Sequence, residues 1–91
     1  MIPFEWTPEF KAPYEALDEN EVARLDATLR ILLRGGHAQS FARRNRVQGV
    51  RGGAFIYAVR SGPGKIWHVY WDYTSPHRTA IVLLALIEVD R

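Results

Sequence analysis

The sequence predicts an α+β domain, in which an N-terminal strand and a two-helix hairpin pack on a small, mostly antiparallel sheet of four to five strands. Three observations carry this expectation. Val22, Leu25, Leu29 and Leu32 form one apolar stripe at helical spacing. Residues 54–87 are rich in aromatic and β-branched side chains and are broken only by two turns. Ile2, Phe4 and Trp6 alternate with Pro3 and Glu5, the period of a strand.

Each element has its own signals. After the short opening strand, Thr7-Pro8-Glu9 reads as a helix start, with Thr as cap, Pro at the first helical position and Glu at the positive end of the dipole. Phe10, Tyr14 and Leu17 line one face. Pro13 predicts a kink or a second start, because it removes a hydrogen bond and clashes with the preceding turn. Asp18 with Glu21 has the spacing of a capping box and opens the second helix, which Arg30 and Arg34 suit at its end and Gly35-Gly36 stop. Residues 36–53 show no clean period and read as a loop with an extended piece near 45–50. Ala54 to Arg60 and Lys65 to Tyr73 form a hairpin around Ser61-Gly62-Pro63-Gly64. Thr79 to Ile87 is nearly all apolar, the pattern of a strand buried on both faces inside a sheet.

Bulk composition narrows the function classes. The chain has 91 residues, enough for a single domain over 1–91, with 47% hydrophobic and 24% charged residues, which argues against a disordered class. There is no cysteine, so disulfides, thiolate chemistry and cysteine zinc sites are ruled out. The N-terminus lacks the pattern of a signal peptide, and the longest apolar run, Ala80 to Ile87, is too short to span a bilayer. A cytoplasmic protein that uses no cofactor and no metal is expected. His37 and His77 lack the companions a metal site needs.

Net charge is only +2, but it is segregated. Residues 1–26 hold seven acids against Lys11 and Arg24, a net of −5, and residues 27–91 hold ten Lys and Arg against Asp72, Glu88 and Asp90, a net of +7. The basic half suits a polyanionic partner.

The element order and several stretches resemble the RelE/ParE toxin superfamily, including its HigB-like members. "FEWTPEF" (Phe4 to Phe10) is similar to that family's opening strand and first helix. "VQGVRGGAFIYAVR" (Val47 to Arg60), "KIWHVYW" (Lys65 to Trp71) and "IVLLALI" (Ile81 to Ile87) are similar to its later strands. The resemblance implies the toxin of a type II toxin–antitoxin system, held by a cognate antitoxin. It implies a ribosome-dependent mRNA endoribonuclease in the RelE and HigB branches, and an inhibitor of DNA gyrase in the ParE branch. The chain departs from the pattern in three places. Ile56 and Ala58 stand where the family carries catalytic lysines, His68 stands where it carries a catalytic arginine, and the last strand runs into Glu88-Val89-Asp90-Arg91 instead of a lysine pair. Arg60 is kept. A catalytically inactive member that binds a protein or nucleic acid is the alternative.

RNA cleavage of this kind removes a proton from a 2′-hydroxyl, stabilises a phosphorane and protonates the 5′-oxygen. His68 can transfer a proton near neutral pH and Arg60 can clamp phosphate. These two are the candidate catalytic residues. Arg43, Arg44, Arg46 and Arg51 are the candidate nucleic-acid contacts. Whether Arg60 and His68 share a face depends on the hairpin register. A symmetric four-residue loop opposes Arg60 to Lys65 and sends His68 to the other face, and a bulge changes that. Tyr57, Trp67, Tyr70, Trp71 and Tyr73 either pack the core or, if exposed, stack bases.

Overall fold

The computed structural model describes residues 2–35, 44–46 and 55–90. In chain order they form β1 (Phe4–Trp6), α1 (Pro8–Glu15), α2 (Glu19–Gly35), β2 (Arg44–Arg46), β3 (Phe55–Gly62), β4 (Lys65–Tyr73) and β5 (Ile81–Asp90). The five strands make one sheet in the order β1-β5-β4-β3-β2. β1 runs parallel to β5, and every other pair is antiparallel. The predicted α+β architecture holds.

The helix starts follow from their caps. The Thr7 side chain accepts from the Phe10 N–H at 3.4 Å, and Pro8 needs no donor at the first helical position. The capping box closes in both directions. The Glu21 N–H donates to Asp18 Oδ1 at 2.8 Å and the Asp18 N–H donates to Glu21 Oε1 at 2.9 Å, which satisfies two donors otherwise left bare at a helix start. Pro13 does not divide α1, which runs unbroken from Pro8 to Glu15. It lies in the last turn, and the N–H groups of Ala16 and Leu17 close the end on the carbonyls of Pro13 and Tyr14.

The core lies between the helices and one face of the sheet. Phe10 from α1 and Leu25, Leu29, Leu32 and Leu33 from α2 pack on Tyr57, Val59, Trp67, Val69, Trp71, Ile81, Leu83 and Leu86. At about 1.5–3 kcal/mol for each large side chain taken out of water, this layer dominates the stabilising side of folding. The Tyr14 hydroxyl ties the two helices together, donating to Asp26 Oδ1 at 2.8 Å. Desolvation of the phenol, the hydrogen bond and the Asp26 charge together push it up to about 12.

Two irregularities interrupt the ladders. In the β4–β5 pair Tyr70 opposes Ala85 and Trp71 opposes Leu83, which leaves Leu84 as an extra residue. The Leu84 carbonyl accepts from the Thr7 hydroxyl at 2.6 Å, so the bulge anchors the junction of β1 and α1. The second irregularity, at Ser61, determines the candidate site.

Candidate nucleic-acid interface on the open sheet face

Both helices cover the face that carries Tyr57, Val59, Trp67, Val69 and Trp71. The alternate residues Ile56, Ala58, Arg60, Ile66, His68 and Tyr70 point the other way. No described element covers that second face.

The turn Pro63-Gly64 sets Gly62 opposite Lys65. Gly64 has φ +71, a conformation that glycine adopts without steric cost. Carried on without interruption, this register opposes Arg60 to Trp67 and puts the guanidinium on the helix side. Ser61 is instead an extra residue. The shift between Arg60 and Gly62 opposes Arg60 to Ile66 and Ala58 to His68. Arg60 and His68 therefore share the open face as diagonal neighbours, a relation that spans about 7–8 Å between Cα atoms. Ser61 turns inward and is buried. Its hydroxyl has no hydrogen-bond partner among the described residues.

The open face is arranged in rows across the sheet. Arg60, Ile66 and Val89 form the first row, Ala58, His68 and Ile87 the second, and Ile56, Tyr70 and Ala85 the third. Asp72, Val82 and Glu5 form a fourth, acidic row. Arg60 is exposed and makes no ion pair among the described residues, so a structural pair with a helix acid is not its role. His68 meets Tyr70 edge to face with ring centroids 6.3 Å apart. An arginine, an imidazole and an aromatic ring thus lie on one face of the sheet, Arg60 exposed and His68 and Tyr70 half-buried. They can bind a phosphate, move a proton and stack a base.

Of the other candidate residues, Arg44 and Arg46 belong to edge strand β2 and pair with Tyr57 and Phe55, while Asn45 pairs with Ile56. Arg43 and Arg51 lie outside the described residues, as does most of the extended piece expected near 45–50. Among the aromatics, Tyr57, Trp67 and Trp71 are core residues and Phe55 stacks on Trp71 at 4.7 Å. Of the five aromatics, Tyr70 joins Arg60 and His68 on the open face.

The expectation that the last strand is buried on both faces needs correction. β5 is an interior strand, but Ile87 is 45% exposed on the open side. Ile66, Ile87 and Val89 ring the candidate site, and sequence reasoning missed them. Their alternation with Lys65, Glu88 and Asp90 was the available signal, obscured by the unbroken apolar run before them. No group of His, Cys, Asp and Glu that could hold a metal occurs among the described residues. No described helix is long and apolar enough to cross a membrane.

No protein-family model, no curated protein and no solved structure matches this chain.

Proposed function

We propose that this chain is the toxin of a type II toxin–antitoxin system, similar to RelE/ParE toxins, that acts in the cytoplasm as a ribosome-dependent mRNA endoribonuclease. The single observation that carries this reading is the Ser61 bulge, which brings Arg60 and His68 to one face that no described element covers. In the proposed reaction His68 takes the proton of a 2′-hydroxyl, and the 2′-oxygen attacks the adjacent phosphorus. Arg60 neutralises the pentavalent phosphorane. The P–O5′ bond breaks, leaving a 2′,3′-cyclic phosphate, the 5′-oxygen takes a proton from water, and the hydroxide so formed takes the proton that His68 holds. Tyr70 holds the neighbouring base by stacking. Nothing in this route needs a cofactor. The arginines at positions 43, 44, 46 and 51 would meet ribosomal RNA, and an antitoxin would cover the face between uses.

The test is a bacterial translation extract with a defined mRNA, its 5′ ends mapped by primer extension. New ends within ribosome-occupied codons, absent without ribosomes, are expected. His68→Ala should slow their appearance by about 10²–10⁴-fold, the usual loss for a general base. Intact mRNA would remove the nuclease reading.

One observation favours a second reading. Ile56 and Ala58, where related toxins carry lysines, lie in the rows of Tyr70 and His68, and the surrounding face is mainly apolar. Such a surface suits a protein target, either gyrase, as in ParE-like inhibitors, or another partner held without cleavage. Arrested growth with uncut mRNA and an SOS response would select the gyrase version.

A further inference from the structure

β1 is the outermost strand on its side of the sheet. Its pairing with β5 uses alternate peptide groups: the Ile81 N–H donates to the Pro3 carbonyl at 3.0 Å, and the Thr7 N–H donates to the Leu83 carbonyl at 3.0 Å. Residues 3, 5 and 7 thus turn their peptide groups toward β5, and strand alternation turns those of Phe4 and Trp6 outward. The side chains of these two residues are in register with buried Ile81 and Leu83, yet they remain 46% and 40% exposed. Beside them, between β1 and the helices, opens a largely apolar pocket of about 270 Å³ walled by Tyr14, Leu29, Leu33 and Leu83. Glu5, between the two aromatics, projects to the opposite side of the sheet, in register with Val82.

We propose that the outer edge of β1, with which no described strand pairs, is a docking site for an extended segment of a partner protein. The segment adds as a sixth strand and carries the pattern apolar–basic–apolar. Each part of the pattern answers a feature of the edge. The outward N–H and C=O groups of Phe4 and Trp6 are satisfied by another strand's backbone, as in recognition by strand addition. Partner residues opposite Phe4 and Trp6 fall on the helix side, where the pocket receives apolar side chains. The partner residue opposite Glu5 falls on the other side, beside a carboxylate in a segment, residues 1–26, whose net charge is −5. Opposite charges facing each other across strands stabilise the pair. A second copy of this chain does not fit. Antiparallel pairing of β1 with itself about a two-fold axis at Glu5 would set like carboxylates opposite each other. β5 stands between this edge and the strand of His68, and β5 and β4 stand between it and the strand of Arg60; the proposal is independent of any reaction there.

Binding of blocked pentapeptides to isotope-labelled protein, followed by amide shifts, tests the proposal. The probe is Thr-Leu-Lys-Leu-Thr, with a version carrying Glu for Lys and two versions N-methylated on alternate amides. The Lys peptide should shift amides of residues 4–7 and of the pocket wall and should bind about fivefold more tightly than the Glu peptide. Glu5→Lys should reverse that order. One N-methylated version should lose at least about tenfold in affinity while the other keeps it, because only one row of peptide groups faces β1. Absence of binding at millimolar peptide would overturn the proposal. So would equal binding of both methylated versions, shifts confined to the open face, or self-association of the protein through β1.

Discussion

The bulge at Ser61 can be tested by cross-linking, because the chain has no cysteine to interfere. Ala58 and His68 are directly opposed, so Ala58→Cys with His68→Cys sets two thiols across a strand pair. Opposed residues in antiparallel strands have Cα atoms about 4.5–5.5 Å apart, within the range of about 4.4–6.8 Å that a disulfide spans. If the turn register ran on unbroken, His68 would oppose Val59, and thiols at 58 and 68 would point to opposite faces. Val59→Cys with His68→Cys is therefore the matched control. The bond closes a loop of about ten residues, worth about 2.5 kcal/mol in chain entropy. In a domain of this size that corresponds to a rise in Tm of roughly 10–20 °C, abolished by reductant. Mass loss on oxidation and thermal denaturation by circular dichroism supply the readouts. Cross-linking of the 58/68 pair and failure of the 59/68 pair is the expected result. The reverse would refute the register and separate Arg60 from His68.

Other consequences follow from the helix side. Asp18→Ala removes one arm of the capping box and should cost about 1 kcal/mol in urea denaturation. Leu32, fully buried, should cost about 2–5 kcal/mol when replaced by Ala, with the same assay. The Tyr14 phenol should titrate at about 12 when followed by ultraviolet absorbance, and Asp26→Asn should bring it down toward its ordinary 10.0. Because the folded state keeps a proton that the unfolded state releases, the Tyr14–Asp26 contribution is full below pH 10. It is lost as pH rises toward 12. Tyr14→Phe, costing about 1 kcal/mol at neutral pH, should lack this alkaline decline.

The helical half was legible because its signals are local. Thr7-Pro8, the Asp18–Glu21 pair and the leucine stripe each state a boundary or a face within a few residues. The second start that Pro13 suggested is absent, because the first helix already spans Pro8–Glu15 and holds Pro13 in its last turn. The hairpin was legible as a hairpin, but its faces were not. Parity across a turn changes with one extra residue, and Ser61 has no composition signal that marks it as that residue. The apolar run of β5 concealed its open side for a related reason. Ile87 reads as core by composition, and only the placement of both helices on one face reveals it as surface.

The parallel pairing of β1 with β5 has a consequence for how the chain is made. The Thr7 hydroxyl bonds to the Leu84 carbonyl, 77 positions away, and Ile81 and Leu83 complete the core under α1 and α2. Until residues 81–90 have left the ribosome, the first strand lacks its partner in the sheet and the helices lack the β5 part of their floor. The pairing of β1 with β5 and the core beneath α1 therefore form only after both strands are available, and long-range pairing of this kind forms slowly.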